Sequence, residues 1–408
     1  MRKEQIIVFF AFLMLVSGLA LGRNLKKEAR AAIKSGSNLE QMEKDLLAAI
    51  PTEEKQSKRA EYYYYAALIN QKINDIENEK LYLKQSYDTV KFFNSIHTLY
   101  QRLYQCDSVE QIRAERGEKY KYRSKVRNLL RAYRVNLLNG GKFFLIKHNY
   151  PSAFALLDMY LVSAQWDVFK KDAYISNDST LFEVARWATL SAFNMNSPEN
   201  TIKHADLALR ENRGRNYIYE YKAKAYLALG DTANWLQTLK AGLTDTPNHP
   251  FFFANIMDYM NATGRYDEAI MIADRMIEYQ RSNAFYWYAK SLALLNKKDY
   301  EACIAISDSV LARNPDYADA YYNKGISYCN IAILLNDSAA MAVGGLDYEK
   351  LRLQSVAAYA QALRPMEIVR ALKPEEKSKW APPLYRIYLN LNMGRQFDEI
   401  EEIVKHLK

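Results

Sequence analysis

The chain has 408 residues, 49% of them hydrophobic and 25% charged, which is long enough to bury a large core without cross-links. Its 56 Lys and Arg against 47 Asp and Glu give a net charge of +9, all of it contributed by residues 111–150, where eleven basic residues face two glutamates. With only three cysteines, a disulfide framework is excluded as the source of stability.

The N-terminus has the features of an export signal. Arg2 and Lys3 precede an apolar run from Ile6 to Leu21, and Ala20-Leu21-Gly22 has the small-x-small pattern that a signal peptidase reads. We predict a signal peptide over residues 1–22, and a non-lipidated mature protein in the periplasm or cell envelope with no stable membrane span. The alternative is that the segment is retained as a membrane anchor, although it is short for a span.

Residues 23–133 predict degenerate helical repeats, because apolar spacing favours helix pairs within Leu25–Ile50 and Lys58–Phe93. A strongly basic helix is predicted near residues 113–134. Its cationic residues recur at steps of three and four, which places them on one face of a helix. They are Arg116, Lys119, Arg123, Arg127, Arg131 and Arg134.

Two interpretations of this basic face remain open. It could attract an acidic partner, an anionic membrane surface or a polyanionic glycan by long-range electrostatic steering. Alternatively, it is an ordinary solvated face, some of whose charges pair with acidic residues nearby. Nucleic acid is not an expected partner, because the export signal argues against a cytoplasmic location.

The middle of the chain repeats with a period of about 34 residues, the length of one helix–turn–helix unit. Gly264–Ile270 reads as a tight turn between two amphipathic helices, and Pro247 and Pro315 lie two periods apart, with Arg281 midway. Bulky and small residues alternate on the first helix of each unit, and small residues recur on the second. The predicted units are 134–167, 182–215, 216–249, 250–283, 284–317 and a first helix over 318–335.

Two insertions interrupt the register and are expected to form loops. One is Val168–Leu181 and the other is Asn336–Asp347, which contains Gly344-Gly345. Residues 336–408 then hold the second insertion and degenerate capping helices, with Pro382-Pro383 starting the first helix of the last pair.

These units resemble the tetratricopeptide repeat (TPR) family, whose bulky-small-aromatic first helix, alanine-rich second helix and closing proline they match, and the chain is similar to exported bacterial members. The resemblance implies an all-α fold, a right-handed superhelical α-solenoid of about 8–10 antiparallel helix hairpins. It also implies a concave groove lined by Phe285, Tyr288, Leu292, Tyr322 and Ile326. The family's carboxylate clamp is not expected, because the corresponding positions hold Glu220, Lys224, Ala254 and Asp258.

The sequence has no glycine-rich phosphate loop, no paired metal-ligand spacing and no nucleophile motif, so neither an enzyme nor a cofactor or metal site is expected. Cys303 and Cys329 occupy positions that the repeat buries. The sequence does not decide whether they form a disulfide. The predicted function is an exported, non-catalytic scaffold that binds a protein, as a peptide or helix, in the groove. The alternative is a surface glycan-binding protein that uses Tyr and Trp platforms.

Overall fold

The computed structural model describes residues 24–170, 172, 175, 177–341 and 345–407; the predicted signal peptide lies outside them. All regular secondary structure in these ranges is helical, which confirms the predicted all-α class. The chain forms two compact units, one extending to Thr238 and the other starting at Leu239.

In the first unit, each helix from α1 to α7 packs against the next one along the chain. A short 3-10 helix, Asp167–Phe169, lies between α6 and α7. The helices are α1 (Leu25–Ser35), α2 (Leu39–Ala49), α3 (Gln56–Tyr82), α4 (Thr89–Glu115), α5 (Arg123–Ile146), α6 (Tyr150–Ser163), α7 (Leu181–Asn194), α8 (Pro198–Lys203), α9 (Ala205–Ala208) and α10 (Arg215–Ala228). Helix α11, Thr232–Asp245, contains the boundary between the units.

Local sequence fixes where several of these helices begin. Asp88 precedes α4 and its carboxylate accepts the N–H of Lys91 at 2.9 Å, while Asn149 accepts the N–H of Ser152 at 3.2 Å before α6. Pro151 in the first turn of α6 needs no intrahelical hydrogen bond there. Capping of this kind satisfies backbone donors that would otherwise lack a partner at the start of a helix.

The second unit continues as helix pairs in series. Its first helices begin at Pro250, Ala284 and Ala318, so successive pairs are separated by a constant step along the chain. Each helix from α12 onward packs on the next, and α12, α14, α16 and α18 also contact one another in that order. The helices are α12 (Pro250–Ala262), α13 (Tyr266–Tyr279), α14 (Ala284–Lys297), α15 (Tyr300–Leu311), α16 (Ala318–Met341), α17 (Gly345–Leu372), α18 (Lys377–Asn390) and α19 (Gly394–Lys405).

Apolar burial between consecutive pairs supplies the core of each unit. In the first unit, Ile96, Leu103, Leu130 and Leu157 are fully buried in one cluster that runs along most of its helices. In the second, Trp380 and Leu384 join residues of α16, α17 and α19. Because every pair covers the apolar flank of its neighbour, the fold has no need of a central core.

Glycine permits close helix contact where α16 meets α17. A Cβ added at Gly325 would lie 2.5 Å from the Sδ atom of Met366. The same occurs at Gly141 of α5, where an added Cβ would lie 2.4 Å from Cδ2 of Leu157 on α6. Both glycines are therefore part of the packing surface rather than hinges.

An ion pair recurs between the second helix of one repeat and the first helix of the next. Asp274 lies 16 residues before Lys290, and their Oδ1 and Nζ atoms are 2.6 Å apart. The same spacing joins Asp206 to Lys222 and Asp308 to Lys324. The lysine side chains are 15–23% exposed, so their apolar stems are largely covered while each charge is paired. We call this recurring pair the Asp–Lys tie.

The prediction that the second insertion forms a loop was wrong. Helix α16 continues to Met341 and α17 begins at Gly345, so most of Asn336–Asp347 is helical. The extension is held by packing between the two helices: Ala339 is buried, and the Oγ of buried Ser355 donates to the carbonyl of Ala332 at 2.9 Å. A side-chain pattern that leaves the repeat register can thus still favour a helix.

The start of the last helix pair was also predicted wrongly. Pro382 and Pro383 lie inside α18, which begins at Lys377. Trp380 explains the earlier start, because its ring is 3% exposed and its Nε1 donates to the carbonyl of Lys373 at 3.0 Å. Burying this ring draws the residues before the prolines into the helix.

Candidate functional site

The predicted groove residues lie on the first helices of consecutive repeats. Phe285, Tyr288 and Leu292 follow one face of α14 at steps of three and four, and Tyr322 and Ile326 follow a face of α16. All five side chains are half-buried. Since α12 contacts α14 and α14 contacts α16, the predicted groove residues lie on neighbouring helices, which we call the inner wall of the second unit.

A row of aromatic rings runs along this wall. Phe253 of α12 contacts Phe285 edge-on with ring centroids 5.6 Å apart, and Phe285 lies 6.4 Å from Tyr288. Tyr288 in turn lies 5.1 Å from Tyr317, with the two rings tilted by 31°. The row therefore runs from α12 through α14 to the turn before α16. Each ring contact stabilises the packing beyond what burial of its area contributes.

Sequence reasoning missed Tyr317. It follows the closing Pro315 and precedes α16, so it lies in the turn and outside the helical periodicity used to choose groove residues. The signal available was its position as the last residue of the repeat unit, directly before a first helix.

Carboxylates lie close to the tyrosines of the row. Burial, followed by the negative charges of Asp319 and Asp258, raises the pKa of Tyr288 to about 12. Burial together with Tyr288 and Asp319 likewise raises the pKa of Tyr317 to about 12. Each shift means that the surroundings favour the neutral phenol, as expected for a partly buried hydroxyl beside negative charge.

One of the predicted groove residues, Tyr322, contacts a lysine of the chain itself. Lys379 of α18 places its Nζ 5.1 Å from the centroid of the Tyr322 ring and forms an ion pair with Asp319. Tyr322 is therefore in contact with a cation that belongs to the protein. We define the inner groove as the surface of Phe285, Tyr288, Tyr317 and Asp258.

The predicted basic helix is interrupted in the structure. Helix α4 ends at Glu115 and α5 begins at Arg123, so residues 113–134 do not form one helix. Gly117 has a φ of 84°, which ends α4 because a left-handed residue cannot continue a right-handed helix. Arg116 and Lys119 lie in this turn and are exposed, and the six basic residues do not share a single helix face.

The four arginines of α5 contact the segment between α6 and α7, which contains most of the first predicted insertion. Arg123 forms an ion pair with Asp167 at 2.5 Å, and Arg127 donates to the carbonyl of Val168 at 2.9 Å. Arg131 lies 3.6 Å from Asp172. Four of the six predicted basic residues therefore contact the segment between α6 and α7, in line with the interpretation that its charges pair nearby.

Arg134 is the innermost of these contacts. Its side chain is 1% exposed, its guanidinium lies 3.6 Å from the centroid of the Tyr160 ring, and Nη2 donates to Asp178 at 2.9 Å. Although burial raises the pKa of Asp178, hydrogen bonds from Thr180, Tyr160 and Arg134 hold it below its ordinary value. A fully buried guanidinium with these partners is a structural group and is not available to an external ligand.

The cysteines are buried and do not pair. Cys106, Cys303 and Cys329 are free thiols, so Cys303 and Cys329 form no disulfide in this structure. Within the described ranges, no three His, Cys, Asp or Glu side chains come together in a way that could hold a metal ion. None of the helices in the described part of the chain combines the length and the apolar character that a membrane span needs.

Several solved structures that are similar to this chain are TPR proteins. The C-terminal part of a TPR repeat-containing protein from Cytophaga hutchinsonii is 12% identical, with 66% of this chain and 94% of that chain covered and a TM-score of 0.41. A TPR repeats protein from Bacteroides fragilis is 15% identical, with 66% and 98% covered and a TM-score of 0.34. A tetratricopeptide repeat protein from Parabacteroides merdae is 17% identical, with 67% and 98% covered and a TM-score of 0.33.

No protein-family model matches the sequence, and no curated protein matches it. At such low TM-scores the similarity does not support an assignment of the fold. The chain's own helix pairs establish the fold. Their constant step and the contacts between successive first helices make this an all-α repeat protein with TPR-like helix pairs.

Proposed function

We propose that this protein is a non-catalytic interaction scaffold of the cell envelope that binds a peptide or a helix of a partner protein along the inner groove. The observation that carries the proposal is the aromatic row of Phe285, Tyr288 and Tyr317, half-buried on a wall built from successive first helices. Aromatic side chains are enriched in the cores of protein interfaces because they bury a large area with few rotatable bonds. A groove between helices suits an extended or helical segment.

A site-specific photocrosslinker tests the groove directly. Introduced at Tyr288, it should become covalently attached to a protein partner in intact cells, and the crosslinked peptide identifies the bound segment. The matched control is Tyr279, a tyrosine of α13 that is 52% exposed. Equal crosslinking from both positions would remove the groove from consideration.

Loss of binding should follow the same pattern. Tyr288→Ala removes a central ring of the row, and we expect it to weaken capture of the crosslinked partner at least about tenfold, as for an aromatic interface anchor. Tyr279→Ala should leave capture unchanged. A glycan array probed with the wild type and both variants tests the alternative of a glycan-binding protein. Glycan binding by the wild type that is lost only in Tyr288→Ala would mean that the groove binds a sugar and not a peptide.

The location proposed is the periplasm or cell envelope, supported by Arg2, Lys3 and the apolar run from Ile6 to Leu21. Cell fractionation with N-terminal sequencing tests it. A mature protein that starts at Arg23 in the envelope fraction is the expected result. An intact N-terminus in the cytoplasmic fraction would contradict export.

A further inference from the structure

The turn between α4 and α5 protrudes from the first unit and carries positive charge. Every residue from 115 to 121 is exposed. Arg116 and Lys119 lie in this turn, and Lys125 is exposed in the first turn of α5. In the described part of the chain, none of these three side chains forms an ion pair. We call Arg116, Lys119, Tyr120 and Lys125 the basic tip.

Acidic side chains near this turn bind the turn itself or the helix end beside it. Glu110 of α4 is buried, and its Oε2 accepts the backbone N–H of Tyr122 at 2.6 Å and that of the preceding residue at 2.5 Å. Glu61 of α3 accepts the Tyr122 hydroxyl at 3.0 Å, and Glu118 pairs with Arg113 at 2.7 Å. These anions hold the turn in place, and none of them neutralises the basic tip.

The exposed charges of the turn are therefore not balanced locally. Glu115, at the end of α4, is an exposed carboxylate beside the three unpaired cations. Lys121 adds to the excess, because the carboxylate of Glu61 that it approaches at 3.3 Å also binds Lys26 at 2.7 Å. The outer surface of the turn is net positive, so a partner of complementary charge is anionic.

An aromatic ring lies among these cations. Tyr120 is 45% exposed, stands between two lysines in the sequence, and has the Arg123 guanidinium 4.6 Å from its ring centroid. Tyrosine combines an apolar ring with a polar hydroxyl, which suits the boundary between lipid headgroups and acyl chains. A ring in this position favours a bilayer surface over a purely polar polyanion.

The shape of the tip favours a flat partner. Tyr122 stacks on Tyr64 of α3 with ring centroids 4.5 Å apart, which fixes the turn to the helices beneath it. A Cβ added at Gly117 would meet no atom within 4 Å, as expected for a projecting backbone. A rigid convex tip contacts a plane readily, whereas a bound peptide needs a groove or a sheet edge.

We propose that the basic tip docks the protein on the surface of a lipid bilayer that contains anionic phospholipids. Its cations pair with lipid phosphate groups, and Tyr120 lies at the level of the headgroups. Docking of this kind is peripheral and reversible, because a few cations near an anionic surface supply a limited energy that salt screens. The proposal uses the first unit and does not depend on the groove of the second.

Co-sedimentation with vesicles tests the proposal. Residues 23–408 are used, because they include every described helix and omit the apolar run from Ile6 to Leu21, which would bind lipid by itself. At low salt we expect binding to vesicles of phosphatidylglycerol and phosphatidylcholine, and little binding to phosphatidylcholine alone. Added salt should release the protein.

Two triple variants separate the basic tip from net charge. We expect binding to fall about fivefold for each tip cation removed, and so about a hundredfold in the variant that combines Arg116→Gln, Lys119→Gln and Lys125→Gln. The matched control lowers the net charge equally at three exposed lysines of α1 and α2 and should lose far less: Lys27→Gln, Lys34→Gln and Lys44→Gln. Circular dichroism melting verifies that both variants remain folded.

A fluorescent label shows which residues meet the lipid. Because the three native cysteines are buried, a cysteine introduced as Tyr120→Cys can be labelled selectively with an environment-sensitive fluorophore. Anionic vesicles should shift its emission to the blue. The same label at Tyr279→Cys, an exposed position of α13, should show no shift.

Several results would overturn the proposal. They are equal losses in the two triple variants, equal affinity for phosphatidylcholine alone, and no blue shift at Tyr120→Cys. Binding to soluble dextran sulfate but not to anionic vesicles would also overturn it, since the partner would then be a polyanionic polymer. None of these results bears on the groove, which crosslinking from Tyr288 tests separately.

Discussion

The basic face of α5 and the aromatic groove of the second unit were both predicted from side chains that recur at helical spacing. In the structure these two sets of side chains have different surroundings. Three of the arginines are paired with Asp167, Asp172 and Asp178, in the segment between α6 and α7. The predicted groove side chains are half-buried, and Tyr322 among them is in contact with Lys379. The difference follows from the segment between α6 and α7, which supplies acidic partners to the arginines. The repeats around α14 keep their regular length and have no such segment.

The largest effect is expected when the buried guanidinium of Arg134 is removed, which tests whether the arginines of α5 are structural groups. Arg134→Met should lower the free energy of unfolding of the first unit by about 3–5 kcal/mol, because it leaves the carboxylate of Asp178 buried without its charge partner. Urea denaturation, with hydrogen exchange to resolve the first unit, measures the loss. Arg131→Met is the control: its side chain is 46% exposed, and we expect about 0–1 kcal/mol. Similar losses in both variants would mean that the insertion is not anchored through Arg134.

Helix contacts at glycine give the next effect. Gly141→Ala places a methyl group 2.4 Å from Cδ2 of Leu157, a branched side chain with little room to move, and should cost about 1–3 kcal/mol. Gly325→Ala meets the flexible thioether of Met366, so its cost should be smaller and partly offset by the better helix propensity of alanine. Thermal melting of the two variants compares them. A larger loss at Gly325 would contradict the role assigned to side-chain flexibility.

The Asp–Lys tie should contribute less than either. Lys290→Met leaves Asp274 47% exposed and able to be solvated, so the expected destabilisation is about 0.2–1 kcal/mol. The double-mutant cycle with Asp274→Asn isolates the pair from other effects of each substitution. A coupling energy of zero would show that the constant spacing reflects the geometry of the repeat and that the ion pair does not stabilise the protein.

The smallest effect at neutral pH is expected for Tyr288→Phe, which keeps the ring. The folded state raises the pKa of Tyr288 to about 12, against about 10 for an unfolded tyrosine. This group therefore contributes stability that is complete below pH 10 and is lost as pH rises toward 12. Melting temperatures across this range should fall less steeply for Tyr288→Phe than for the wild type, with Tyr82→Phe at an exposed position as control. Parallel slopes in all three proteins would contradict the pKa shift.

Much of the fold could be predicted from the sequence, because the repeat pattern is local. Alternation of bulky and small residues along each repeat is enough to predict the helix pairs, and helices of the second unit begin at Pro250, Ala284 and Ala318. The groove faces of α14 follow from the same periodicity. Local patterns failed where a single residue ended or extended a helix, as Gly117 and Trp380 do.

The partners of the charged groups could not be predicted, because they lie far apart in the sequence. Arg134 is 44 residues from Asp178, and Lys379 is 60 residues from Asp319. Neither distance is a multiple of the repeat, so no register links the partners. Only the Asp–Lys tie, whose two residues keep the same separation in all three places, left a signal in the sequence that could have been found.

The constant spacing of that tie limits where the chain can change length. One residue added within α14 before Lys290, or within α16 before Lys324, would rotate the lysine by about 100° around its helix relative to the preceding turn and away from its carboxylate. The end of α16 beyond Ala332 carries no such constraint and already leads into the out-of-register segment Asn336–Asp347. An epitope or a fluorescent domain grafted near Met341 should therefore be accepted, whereas the same graft in the turn before α14 or α16 should separate neighbouring repeats.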